Sequence, residues 1–84
     1  AWRALERGRL DEADRLARRA VRGRGEEAAQ GETVLGQVAT QREDYAEAER
    51  RFRNALSLRP GDQGAALGLY FALVNQGRNA EAEE

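Results

Sequence analysis

Tyr45-Ala46-Glu47-Ala48-Glu49 returns 34 residues later as Asn79-Ala80-Glu81-Ala82-Glu83, and Leu35 returns at the same offset as Leu69. Gly8-Arg9-Leu10-Asp11-Glu12-Ala13 is a looser third copy, 35 residues before the block that ends at Ala48. A period of this length belongs to stacked helical units, each too small to bury its own apolar face. The echo predicts an all-α chain in which helix-turn-helix repeats stack as an α-solenoid.

Around Leu35, the residues Val34, Leu35, Val38 and Ala39 share one helical face, and Gln30, Thr33, Gln37, Thr40 and Gln41 occupy the other. The spacing predicts a helix from Glu26 to Gln41. Asp44 is placed to cap the next helix, whose face carries Tyr45, Ala48, Phe52, Ala55 and Leu56 until Pro60 and Gly61 end it near Leu58. A third helix begins near Asp62 with Leu67, Leu69, Tyr70, Leu73 and Val74, and a left-handed cap at Gly77 is expected to stop it. Nearer the N-terminus, Leu10, Ala13, Leu16, Ala17, Ala20 and Val21 form a further stripe that ends at Gly23 or Gly25. Trp2 to Glu6 reads as the tail of an earlier helix closed by Gly8, and another helix is expected to start near Asn79. The pattern is four helices flanked by two truncated ones. No segment alternates with period two, so no sheet is expected.

Composition narrows the class. With only Trp2, Tyr45, Tyr70, Phe52 and Phe71 as aromatics, the core of this 84-residue chain must come mainly from Leu, Ala and Val. No run approaches the roughly 20 apolar residues of a membrane span, and no charged-apolar-small leader pattern opens the chain. It reads as soluble, cytoplasmic or periplasmic, without membrane insertion. Cysteine is absent, which removes disulfides and thiolate chemistry and leaves the compartment open. Every basic residue is arginine, and with abundant Ala, Gly and Leu this fits the codon bias of a GC-rich bacterial genome. The net charge of −1 gives no general drive toward nucleic acid, but it is unevenly spread. Residues 1–30 hold eight Arg against six acids, and residues 61–84 hold one against four.

The run Glu32-x2-Leu35-Gly36-x2-Ala39, then Tyr45, Ala48-x3-Phe52, Ala55-Leu56 and Pro60, resembles the tetratricopeptide repeat, a 34-residue helix-turn-helix unit. In that reading Gly36 and Ala48 are small where the hairpin helices cross most closely. Leu35 and Phe52 fill the space around the crossing, and Pro60 stops the second helix. The resemblance covers 1–25 as a partial repeat, 26–61 as a complete repeat and 62–84 as a truncated one. Several residues depart from the family pattern. Glu32 and Ala39 stand where aromatics are common, Glu43 stands at the turn glycine, and Gly25 replaces the proline of the first copy. Tyr70 occupies the position of Gly36, so either that helix pair is wider or Tyr70 turns outward. About three repeats are usually needed for stability, so a longer array, or self-association through the truncated terminal repeats, is expected.

The resemblance implies a protein or peptide ligand in a concave groove lined by the first helix of each repeat. Here that face comprises Gln30, Thr33, Gln37, Thr40 and Gln41 from the middle copy, and Leu67, Phe71, Val74 and Asn75 from the third. The first copy contributes only Trp2, Leu5 and Glu6. Neutral amides and hydroxyls beside apolar surface suit a peptide backbone, and would also accept a polysaccharide. Leu67, Phe71 and Val74 either line such a groove or pack on a neighbouring repeat.

Arg15, Arg18, Arg19 and Arg22 fall at i, i+3, i+4 and i+7 and make one basic stripe, which Asp11 and Glu12 are placed to neutralise in part. An acidic protein, an anionic polymer or a phosphate backbone would meet it, but the stripe lies on the second helix of its hairpin, toward the convex side, and is read as a solvated, partly ion-paired face. Catalysis has little support, since there is no His and no Cys to serve as base, thiol nucleophile or usual zinc ligand. Asp11, Glu12 and Asp14, or Glu43, Asp44 and Glu47, are read as acids at helix starts that favour the macrodipole. No catalytic residue, metal or cofactor is assigned. The expected role is a protein-interaction scaffold; the alternative is a structural spacer or oligomerisation segment of a larger envelope or exopolysaccharide-export protein.

Overall fold

Residues 2–83 of the computed structural model are described, with side chains described for residues 7–77. Helix α1 spans Trp2–Ala20, α2 Glu26–Gln41, α3 Tyr45–Leu58 and α4 Gln63–Glu83. No strand occurs among the described residues, and the architecture is all-α. Each helix packs on the next in sequence, and α4 also touches α2 lightly. The result is a slab of 42 × 37 × 17 Å, in which apolar side chains can be buried only between neighbouring helices.

The turns follow from particular residues. Gly25, with φ of 64°, precedes α2 in a conformation that glycine adopts without a Cβ clash. At the other end of α2, Glu43 takes φ of 61°, the one non-glycine residue with positive φ among the described residues. The Asp44 N–H donates to the Ala39 carbonyl at 2.8 Å, and the Glu43 N–H to the Thr40 carbonyl at 3.0 Å. These two bonds form a Schellman cap, built here without the usual glycine. Asp44 then caps α3, its carboxylate accepting the Glu47 N–H at 3.3 Å. Asp62 does the same for α4, accepting the Ala65 N–H at 3.1 Å.

Two expected helix ends are absent. α1 runs through Gly8 and α4 runs through Gly77, so the truncated flanking helices are continuous with their neighbours. A glycine weakens a helix by about 1 kcal/mol but does not reverse the chain unless the next segment can pack back. α3 packs back after Glu43. One correction follows for the acids: Asp11, Glu12 and Asp14 lie in the interior of α1, away from any helix start.

Close approach requires small residues, and each helix crossing has a glycine. A Cβ on Gly31 would lie 2.8 Å from the Ala17 carbonyl oxygen of α1, and one on Gly36 would lie 2.7 Å from the Phe52 ring of α3. A Cβ on Gly68 of α4 would overlap the same ring from the next helix. Phe52 is thus held between α2 and α4, in a core completed by Ala39, Ala48, Ala55, Ala65 and Ala72. Tyr45, Leu56 and Leu69 pack against its edge. Tyr70 points away from the core and is 66% exposed, and the close approach of α4 to α3 is made at Gly68.

Candidate functional site

α2 and α4 both present residues to one groove of about 500 Å³. Gln37, Thr40 and Gln41 form the α2 wall, Leu67, Tyr70 and Phe71 the α4 wall, and Phe52, Gly64 and Gly68 the floor. None of these lining residues is charged. The floor exists because Gly68 puts no side chain against the Phe52 ring, which a Cβ there would overlap, and Gly64, one helical turn before it, lines the groove without a side chain. Phe71 is fixed on its inner side by an edge-on contact with Tyr45, the ring centroids being 6.2 Å apart. The Thr40 hydroxyl donates to the Gly36 carbonyl at 2.9 Å, which anchors it and leaves its lone pairs available. Gln37 and Gln41 are exposed and supply both donors and acceptors.

Gln37, Thr40, Gln41, Leu67 and Phe71 therefore come together from the residues expected by sequence, and four others do not join them. Gln30 lies in a second groove, of about 340 Å³, between α1 and α2. The Thr33 hydroxyl donates to the Ala29 carbonyl at 3.1 Å and lies 3.4 Å from the Asp62 carboxylate, so it supports the α4 cap. Val74 is half-buried beyond the groove, and the Asn75 amide donates to the Phe71 carbonyl at 2.8 Å. The side chains of Trp2, Leu5 and Glu6 lie outside the described residues. Sequence reasoning missed Phe52, Gly64, Gly68 and Tyr70 as lining residues. The Gly64-x3-Gly68 spacing was the available signal, since it clears one helical face.

Ion pairs order the rest of the surface. Glu32, in place of a core aromatic, is buried and meets Arg51 at 3.3 Å and the Asn54 amide at 3.4 Å. Arg51 also binds Glu47 at 3.1 Å. Burial opposes the charge on Arg51, but hydrogen bonds to Glu47 and Glu32 outweigh it and raise its pKa above the ordinary value. For Glu47, burial likewise opposes charge, yet hydrogen bonds from Arg50 and Arg51 hold its carboxyl below the usual range. On α1, Arg15, Arg18, Arg19 and Arg22 line a depression with Leu16. Glu12 lies 4.0 Å from Arg15, whereas Asp11 turns to Arg42 at the end of α2. Asp14 binds both Arg18 and Arg42, which ties α1 to the α2 terminus.

Among the described residues no His, Cys, Asp and Glu cluster could hold a metal ion, and no helix is long and apolar enough to cross a membrane. A tetratricopeptide-repeat family model matches residues 39–84, from the last turn of α2 to the end of the chain. Neither a curated protein nor a solved structure matches. The family match covers more than half of the chain, including the α3 and α4 helices that hold the groove floor. The repeat period, the small-residue crossings and this match agree, and the chain belongs to the tetratricopeptide-repeat family.

Proposed function

We propose that this chain is a scaffold that holds an extended, uncharged stretch of a partner protein in the groove between α2 and α4. Tetratricopeptide repeats are generally protein-interaction modules without catalytic activity, and we read this chain in the same way. The observation that carries the reading is the groove itself, where an amide-and-hydroxyl wall stands opposite exposed apolar side chains. Leu67 and Phe71 are 70% and 49% exposed, an apolar area that a partner's side chains would cover. The facing Gln37 and Gln41 would pair with the partner's backbone, which loses its own water on docking.

Peptides selected from a displayed random library against the immobilised chain would supply the probe. Their affinity is then compared between wild type and the double variant Gln37→Ala, Phe71→Glu, with helicity followed by far-UV circular dichroism. The expected result is at least about a tenfold loss of affinity, as for an interface hot spot, at unchanged helicity. Peptides that bind both proteins equally would rule out the groove. Soluble oligosaccharides that displace the peptides would instead favour a polysaccharide ligand on the same wall. The exposed apolar side chains of α4 also favour a second reading, a spacer or oligomerisation segment of a larger envelope or export protein. In that case the double variant would lose self-association or fold.

A further inference from the structure

Gly64 is a bare position that packing does not require. At Gly68 the core itself demands glycine, because a Cβ there would overlap the Phe52 ring. Outside its own helix backbone, a Cβ on Gly64 would have one neighbour within 4 Å, a carboxylate oxygen of Asp62 at 3.4 Å, which is ordinary contact. Alanine would serve the helix better, since glycine weakens it. One copy earlier the same position is Gln30, so the repeat accepts a long side chain at this place.

The space left by the absent side chain belongs to the groove. Gly64 lines it together with Leu67 and Phe71 of α4, opposite Gln37 and Gln41 of α2. Gln30 and Gln37, the counterparts of Gly64 and Phe71, are both exposed although α1, α3 and α4 all pack on α2. These two helix positions therefore face outward by repeat geometry, whatever packs beside the helix. Between the copies, a pair of amides has become a hole beside a phenyl ring. A charged ligand side chain would shed its water in that hole without gaining a partner, since no lining residue is charged. A short polar one would leave Leu67 and Phe71 in water.

We infer that Gly64 sets the specificity of the groove: one bulky apolar or aromatic side chain of the extended ligand seats on the bare α4 backbone at Gly64, flanked by Leu67 and Phe71. The Gln37 and Gln41 amides hold the ligand backbone on the other side. This assignment rests on the α2–α4 groove being the binding site.

Peptides selected from a displayed random library against the 84-residue chain are the probe, each remade with its bulky apolar residue replaced by alanine. Peptides that depend on the groove, by losing affinity for the Gln37→Ala, Phe71→Glu variant, should share one Leu, Ile, Met, Phe, Tyr or Trp. Gly64→Gln should weaken them at least about tenfold, with the thermal midpoint unchanged or raised. The alanine-substituted peptides should lose much less on the same change, because both substitutions act in one space. Gly77→Ala, with no atom within 4 Å of its Cβ and no part in the groove lining, should leave binding unchanged. If Gly64→Gln lowers the midpoint, Gly64→Ala is read instead, with a loss of affinity of the same sign. Groove-dependent peptides that share no bulky apolar residue, or that bind the Gly64 variant as tightly as wild type, would overturn the inference and leave the groove standing. Peptides that all bind the Gln37→Ala, Phe71→Glu variant as tightly as wild type would remove the groove and the inference together.

Discussion

Gly68→Ala should destabilise the chain even though alanine is the better helix former. A Cβ at this position would overlap Phe52 Cζ and lie 2.6 Å from Cε2 and 2.7 Å from Cε1. The ring has nowhere to retreat, because α2 already brings Gly36 within 2.7 Å of it by the same measure, and Phe52 is 2% exposed. Overpacking of this kind costs about 2 kcal/mol, while replacing a helical glycine by alanine returns about 1 kcal/mol. The net expectation is a loss of about 1 kcal/mol by that arithmetic. Gly77→Ala on the same helix is the control. No atom lies within 4 Å of its Cβ position, so propensity alone operates and a gain of about 1 kcal/mol is expected. Urea unfolding followed by far-UV circular dichroism would read both midpoints. The two chemically identical substitutions should move them in opposite directions. A Phe52→Leu background should reduce the Gly68→Ala penalty, since the two positions share one space. If both alanine variants are stabilised equally, Phe52 is not clamped between α2 and α4 and the account of the core fails.

Two further outcomes follow from the turns and ion pairs. Glu43→Gly should raise the thermal midpoint, by about 1 kcal/mol of stability, because a left-handed residue with a Cβ is replaced by one without; a lowered midpoint would show that the Glu43 side chain contributes more than its strain. Asp14, Asp62 and Glu47 titrate below their ordinary values of 3.8, 3.8 and 4.5. Burial opposes this for Asp14 and is outweighed by hydrogen bonds from Arg42 and Arg18, whereas Asp62 is held mainly by the Ala65 N–H and then Arg59. With folded values below unfolded ones, the stabilisation is complete above the unfolded pKa and is lost as pH falls through the folded pKa. The thermal midpoint should therefore hold steady from neutrality to about pH 5 and fall below about pH 4, and a midpoint that rises on acidification would contradict the pairs.

The helices were legible where sequence signals agree with what packs around them. α2 and α3 follow from apolar spacing bounded by Gly25, Asp44 and Pro60, and each boundary has a local physical cause. Gly8 and Gly77 misled because a glycine permits a turn without enforcing one, and the decision rests on whether the next segment finds a surface. The groove was legible in part for a related reason. Periodicity places Gln37, Thr40, Gln41, Leu67 and Phe71 on one side of their helices, but it cannot tell which of their neighbours are engaged elsewhere. Thr33 shows this, since its hydroxyl is committed to the start of α4 by a residue 29 positions away. Tyr70 was marked as an oddity by its place in the repeat. That it rims the groove depends on Gly68, whose approach to Phe52 crosses from one repeat to the next and leaves no trace in a comparison of copies.

Phe52 has a second consequence. Its ring is both the floor of the groove and the spacer that keeps α2 and α4 apart. The width available to a ligand and the step from one repeat to the next are thus a single coordinate, and one benzene ring sets the gauge of both.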